Sequence, residues 1–116
     1  MTDHDPQMLK GVLSLLLLSL CAEREDYGYS LVVRLQSAGF DELAEGSVYP
    51  ALTRLESRGL LEGRLMPSPA GPARKYYAIT PDGRLELART ETSWLGLVRS
   101  VAAVLTSNPT PQGAPR

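Results

Sequence analysis

Apolar residues recur at helical spacing over the last quarter of the chain, and this stripe restricts what the whole chain can fold into. It follows Thr80 and Pro81, a pair typical of a helix N-terminus, and predicts a helix over residues 81–106. Such a helix extends past anything the preceding elements can cover, so its economical partner is the same helix of a second subunit. The apolar members of the stripe are Leu87, Trp94, Leu97, Val98, Val101, Val104 and Leu105.

A first helix is predicted from Pro6 to about Glu23, with Asp5 as its N-cap. Its apolar run, residues 12–22 (VLSLLLLSLCA), is shorter than the roughly 20 residues of a membrane span. The residues before the run are acidic rather than basic, unlike those of a secretory signal. We therefore interpret the run as a core helix. Cys21 lies inside it, which favours core packing over redox sensing, and a single cysteine fits a reducing cytoplasm.

Two shorter helices are predicted next. Asp26 is expected to cap the second helix, which places Tyr29 on the same side as its aliphatic residues and ends at Gly39. The third helix covers residues 46–58, and a glycine directly follows it. One face of the third helix is expected to be buried, through Val48, Leu52 and Leu55.

A β-hairpin is predicted after the third helix. Its strands are residues 60–66 and 74–80, joined by a loop over residues 67–73 that contains three prolines and a glycine. Because side chains alternate along a strand, Tyr76 and Tyr77 point to opposite faces. At least one of the two is expected to pack the hairpin onto the third helix.

The order helix, helix, helix, hairpin is that of a winged helix-turn-helix. The predicted fold class is thus mainly α with a small β-hairpin: a winged helix-turn-helix over residues 1–80, followed by a long C-terminal dimerisation helix over 81–106. Residues 107–116 (SNPTPQGAPR) are proline-rich and predict a disordered tail. In this fold the third helix enters the major groove of DNA and the hairpin lies beside a phosphate strand.

The net charge of −1 conceals an uneven distribution along the chain. Residues 1–45 contain three basic and eight acidic side chains, a net charge of −5, whereas residues 46–84 contain six basic and three acidic ones, a net charge of +3. Because distant charges are screened within about 10 Å, the local positive surface is what phosphate binding requires.

Candidate DNA contacts follow from this arrangement. Hydroxyl and guanidinium groups reach base edges and phosphates, and the open face of the third helix offers Ser47, Tyr49, Thr53 and Arg54. Arg74 and Lys75 begin the second strand and are expected to contact phosphates. Two alternatives stay open for Arg58 and Arg64, namely phosphate contact or exposed ion pairs with Glu56 or Glu62.

Four stretches together resemble the PadR family of transcriptional regulators. They are residues 8–19 (MLKGVLSLLLLS), 27–31 (YGYSL), 45–56 (EGSVYPALTRLE) and 71–80 (GPARKYYAIT). The most specific feature is VYPAL on the third helix in combination with RKYY on the wing. The resemblance covers nearly all of the chain between Met8 and Leu105.

The resemblance implies a homodimeric repressor of the short subfamily that binds a pseudo-palindromic operator and has a single C-terminal helix. Lys10 resembles a basic residue near the start of the family's first helix, although solvation alone also explains it. In drug-sensing members a tryptophan on the last helix, with its symmetry mate, sandwiches flat aromatic ligands at the dimer interface, and Trp94 occupies the matching position. Packing in the interface core is the alternative role for Trp94. The accompanying interface residues are Val98, Val101 and Leu105.

No catalytic, cofactor or metal site is predicted. His4 is the only histidine and is expected in a frayed N-terminus, and the sequence contains no phosphate loop, paired acids or metal-ligand cluster. Three interpretations are compatible with the sequence: a repressor released by a small aromatic effector, a DNA binder regulated by abundance or by a protein partner, and an adaptor that binds protein only.

Overall fold

The computed structural model describes residues 4–107, which form four helices and a three-stranded antiparallel sheet of order β1-β3-β2. The elements are α1 (Pro6–Glu23), β1 (Asp26–Tyr27), α2 (Gly28–Ser37), α3 (Glu45–Ser57), β2 (Leu61–Ser68), β3 (Gly71–Ile79) and α4 (Pro81–Ser107). The predicted class, mainly α with a small hairpin, is confirmed. Ser107 ends α4, and the rest of the predicted tail lies outside the described residues.

Helix α1 is a core helix, as predicted. The Asp5 carboxylate accepts a hydrogen bond from the backbone N–H of Gln7 at 2.8 Å and so caps it. α1 has the length and mean hydropathy, 1.2, of a minimal membrane span, but its apolar face packs in the core. Burial raises the pKa of the Cys21 thiol to about 12, which keeps it neutral and supports a packing role. The buried residues of α1 are Leu9, Leu13, Leu17, Leu18 and Cys21.

The polar connection predicted over residues 24–26 contains a short strand. Asp26 and Tyr27 form β1, opposite Tyr77 and Tyr76 of β3. The prediction that Asp26 caps the second helix is wrong. Tyr27 stands at the N-cap, and no side chain caps the backbone N–H groups of the first turn. A strand of two residues has no periodicity, so the sequence does not reveal it.

The wing is longer than predicted. β2 continues to Ser68 and β3 begins at Gly71, so the loop is two residues rather than the predicted residues 67–73. Pro67 is accommodated because the register shifts between Met66 and Ser68, and because β2 is an edge strand. Gly71 makes the turn possible, because its φ of 130° is a backbone conformation that L-residues rarely adopt.

Helix α4 begins against the base of the wing. The Thr80 hydroxyl accepts a hydrogen bond from the N–H of Gly83 and donates one to the carbonyl of Gly59. A Cβ on Gly83 would lie 2.1 Å from the carbonyl oxygen of Leu60, so only glycine allows this contact. Leu87 still packs against the core. Beyond it the apolar stripe is exposed in the single chain, as the sequence predicts, at Trp94, Leu97, Val98, Val101, Val104 and Leu105.

Candidate nucleic-acid interface

The open face of α3 presents the four side chains predicted for it. Val48, Ala51, Leu52 and Leu55 are buried, which turns Ser47, Tyr49, Thr53 and Arg54 outward. The Thr53 hydroxyl donates to the carbonyl oxygen of Tyr49 at 3.1 Å, so towards a ligand it acts as an acceptor. Among residues 4–107 no carboxylate pairs with Arg54, and its guanidinium is available to an external acceptor.

A cleft of about 530 Å³ lies between β3 of the wing, the start of α2 and Tyr49 of α3. We call it the wing cleft. It brings together three predicted site residues, Tyr49, Arg74 and Lys75, and adds others that the sequence does not single out. A Cβ on Gly28 would lie 2.5 Å from the Tyr49 ring, so this glycine lets the ring pack over the start of α2. The lining residues are Tyr27, Gly28, Tyr29, Tyr49, Arg74, Lys75 and Tyr77.

One tyrosine of the wing cleft departs from its sequence prediction, and another was not predicted to belong to the site. Tyr29 was expected on the apolar side of the second helix, but it is 56% exposed and its ring borders the cleft. Tyr27 lies under the wing, with its ring 4.4 Å below the Arg74 guanidinium. Tyr77 is buried in the core, as expected of at least one wing tyrosine. Burial raises the pKa of both Tyr49 and Tyr77, so both hydroxyls keep their protons, and the exposed one, that of Tyr49, can donate to a ligand.

Several basic side chains of the interface already contact carboxylates. Arg64 donates to Glu25 at 2.7 and 2.9 Å, and Arg58 lies 3.7 Å from Glu86. The predicted ion-pair partners of these two arginines, Glu56 and Glu62, are therefore wrong. Glu25 and Glu86 belong to other segments, which residue spacing along the wing does not reveal. Glu56 instead forms an ion pair with Lys75, with 2.8 Å between Nζ and Oε1.

Lys10 and Ser47 lie near the start of α3. They line one groove of about 180 Å³, together with Leu43 and Glu42 of the preceding loop. Ala44 is the N-cap of α3, and no side chain caps the first turn. The groove thus combines an ammonium, a hydroxyl and the positive end of a helix, which suit a phosphate, with the Glu42 carboxylate, and Glu45 lies in the first turn of the helix.

Trp94 borders two cavities beside α1. The larger, about 590 Å³, is mainly apolar and is lined by His4, Asp5, Met8, Leu9, Val12, Leu15, Leu16, Phe40 and Trp94. We call it the Trp94 cavity. The smaller, about 210 Å³, lies between α1 and α4 and also touches Leu97. Of the other predicted interface residues, Val101 and Leu105 line an apolar groove farther along α4, and Val98 is 42% exposed.

His4 is ordered, contrary to the frayed N-terminus that was predicted. Its ring stacks on Phe40, with centroids 4.9 Å apart and 25° between the planes. Its backbone N–H and its ring Nδ1 both contact the Glu42 carboxylate. The hydrogen bond from the His4 backbone is the main reason that the pKa of Glu42 is lowered. Hence one wall of the Trp94 cavity is built by contacts that periodicity does not reveal.

Comparison with known proteins identifies the type of regulator. Residues 17–89 match the transcriptional regulator PadR-like family. The chain belongs to this family. A curated relative of this PadR-like chain is the transcriptional regulator Rv3488 of Mycobacterium tuberculosis, 34% identical over 94 residues, which cover 79% of this chain and 84% of that protein.

Solved PadR-like structures share the fold. A PadR-like transcriptional regulator from Bacillus cereus is 42% identical, with a TM-score of 0.77 over 85% of this chain and 96% of that one. A PadR family regulator from Eggerthella lenta is 34% identical, with a TM-score of 0.80 over 88% of both chains. The family and the winged-helix class predicted from the sequence are thereby confirmed.

Proposed function

We propose that this PadR-like regulator is a cytoplasmic, homodimeric repressor that binds a pseudo-palindromic operator and is released by a flat aromatic ligand. The observation that carries DNA binding is the wing cleft, because it places Tyr49, Arg74 and Lys75 next to the open face of α3. No catalytic role is proposed for the chain.

In the proposed complex α3 lies in the major groove. Arg54 is the side chain best suited to reading a base, since a guanidinium grips guanine through two hydrogen bonds. The wing cleft takes a phosphate on one side of α3, through Arg74, Lys75 and the Tyr49 hydroxyl. The groove of Lys10 and Ser47 takes a phosphate on the other side. Contacts on both flanks fix the depth and the register of the helix.

Dimerisation through α4 is supported by the exposed stripe from Trp94 to Leu105. Leu97 and Leu105 are 56% and 68% exposed in the single chain, and valines lie between them. Burying such a stripe against a second copy removes apolar surface from water at about 25 cal/mol per Å². A two-fold axis along α4 gives two copies of α3, which must lie about 34 Å apart to meet successive major grooves.

The ligand is proposed to bind in the Trp94 cavity. An indole and a phenyl ring on an aliphatic floor favour a flat, apolar molecule, and Asp5 contributes a carboxylate at the edge. The cavity lies beside the exposed stripe of α4, at the proposed dimer interface, so a bound ligand changes how the two subunits pack together. The spacing of the two α3 helices would change with it, and the operator would be released.

The test of DNA binding is a selection of bound duplexes from a random pool. The proposal predicts an inverted repeat with half-sites about one helical turn apart. The Arg54→Ala variant should yield a repeat that is relaxed at one position in each half-site. A protein that binds no duplex at low ionic strength would refute the proposal and favour a protein-only adaptor.

Ligand binding is tested separately with planar dyes. Binding in the Trp94 cavity should quench Trp94 fluorescence and release the selected operator at the same dye concentration. Trp94 is the only tryptophan, so the signal reports binding next to this residue. If the dyes neither quench Trp94 fluorescence nor release the operator, the chain is a DNA binder without a small-molecule effector.

A further inference from the structure

The two adjacent cations of the wing are in different electrostatic states. The Arg74 guanidinium lies over the Tyr27 ring, and among residues 4–107 no carboxylate pairs with it. The ammonium of Lys75 instead donates to Oε1 of Glu56 at 2.8 Å. Glu56 belongs to the last turn of α3, so this contact joins the helix proposed to read DNA to the strand proposed to contact its backbone.

The structure makes room for this contact at Gly63. A Cβ on Gly63 would lie 2.4 Å from Cε of Lys75 and 2.8 Å from Oε2 of Glu56. Any other residue would therefore push the lysine, the glutamate or both aside. The two side chains meet by crossing β2 at the one position where β2 has no side chain. The pair is thus specified by three separate segments of the chain.

We propose that Glu56 competes with DNA phosphate for Lys75 and so limits the affinity of this regulator for DNA of any sequence. The inference rests on the proposed DNA-binding function and extends it to a residue that limits phosphate contact. A carboxylate offers the same anionic oxygens to an ammonium as a phosphate does. Each approach of a phosphate to Lys75 then either displaces Glu56 or places a second negative charge beside it.

The consequence follows from counterion release. Each phosphate neutralised by a cation contributes about 0.9 to the slope of log K against log salt. Because Lys75 and Glu56 together carry no net charge, the pair contributes little to this slope. The hydrogen bond to Glu56 also raises the pKa of Lys75, so the lysine is charged at any physiological pH. Its contribution to DNA binding is therefore set by Glu56 and not by its own protonation.

The experiment measures affinity for a labelled non-operator duplex between about 50 and 200 mM salt. Glu56→Gln should bind several-fold more tightly at the low-salt end and increase the slope by about one unit. The gain should vanish in the Glu56→Gln, Lys75→Ala double variant. Glu62→Gln is the matched control, because it removes the same charge from the exposed side of β2, where no ion pair with Lys75 exists. It should produce a clearly smaller change.

Several outcomes would overturn the inference. Weaker binding by Glu56→Gln would mean that Glu56 positions Lys75 for phosphate, and equal effects of Glu56→Gln and Glu62→Gln would mean that only overall charge counts. A gain that survives removal of Lys75 would assign the effect to another cation. If Glu56→Gln melts at a lower temperature, Glu56→Asp keeps the charge but withdraws it from Lys75, and is expected to bind more tightly than the parent.

Failure of the underlying function is distinguishable from failure of the inference. If neither Arg74→Ala nor Lys75→Ala weakens binding, the wing cleft is not a DNA contact and the proposed function is wrong. If both weaken binding while Glu56→Gln changes nothing, only the competition is wrong.

Discussion

The carboxylate of Asp26 and the guanidinium of Arg34 meet at 2.9 Å beneath the wing, with 8% and 14% of their side chains exposed. Asp26 also accepts hydrogen bonds from Ser30 and from the N–H of Tyr27. Arg34 reaches back to the carbonyl oxygen of Leu20 at 3.2 Å. This pair therefore ties the end of α1 to the strand that supports Arg74.

Breaking that pair should destabilise the domain. Arg34→Met leaves the Asp26 carboxylate buried without its cation, a change that typically lowers the free energy of unfolding by about 3 to 5 kcal/mol. A loss near the lower end, about 3 kcal/mol, is expected here because Asp26 keeps two hydrogen bonds. Urea unfolding followed by circular dichroism measures the change. Arg24→Met is the control, because Arg24 is exposed and has no described ion-pair partner. Equal stability of the two variants would contradict a structural role for the pair.

The Tyr27 ring should matter for DNA binding through Arg74. Tyr27→Leu removes the surface on which the guanidinium rests, and a partly exposed cation–π contact is worth about 0.5 to 1 kcal/mol. Affinity for duplex DNA should fall about two- to five-fold, whereas Tyr27→Phe keeps the ring and should bind normally. In an Arg74→Ala background the Tyr27→Leu substitution should have no further effect. An additive loss would refute the positioning role.

Arg54 is expected to read a base and not only the backbone. Arg54→Ala should lose about 1 to 3 kcal/mol of discrimination at one operator position, with a smaller change for non-operator DNA. Competition binding with single-base operator variants measures this. Arg99→Ala, on the distal part of α4, serves as the control. A uniform loss across all sequences would reassign Arg54 to phosphate contact.

Val98 is expected to lie in the dimer seam. Val98→Asp places a charge in the apolar stripe and should convert the dimer to monomer in sedimentation equilibrium. Ala103→Asp introduces the same charge on the opposite side of the helix by helical spacing, and should leave the dimer intact. An intact Val98→Asp dimer would show that the subunits meet elsewhere.

Cys21 should be unreactive in the folded protein. Its pKa of about 12 leaves almost no thiolate at neutral pH, and the side chain is buried. Iodoacetamide is expected to label Cys21 in urea and not in buffer at pH 8. Rapid labelling of the native protein would revive the redox-sensing interpretation.

The elements that could be predicted from the sequence are the long helices, in which apolar residues recur at helical spacing over many residues. α1 and α4 were predicted almost to the residue, because a cap followed by proline fixes each start. β1 was not predicted, since pairing with a distant strand forms it, and Tyr27 and Tyr29 were therefore not recognised as part of the wing cleft. The ion pairs of Arg64 and Lys75 were missed for the same reason, as their partners come from other elements.

Gly83 restricts how α4 can move relative to the wing. The first turn of α4 touches the carbonyl of Leu60 at a distance that leaves no room for a methyl group, and Thr80 bonds both sides of the junction. A junction packed this closely cannot act as a hinge. In the proposed dimer, any change in the angle between the subunits must therefore move the wing and α4 together as one rigid unit.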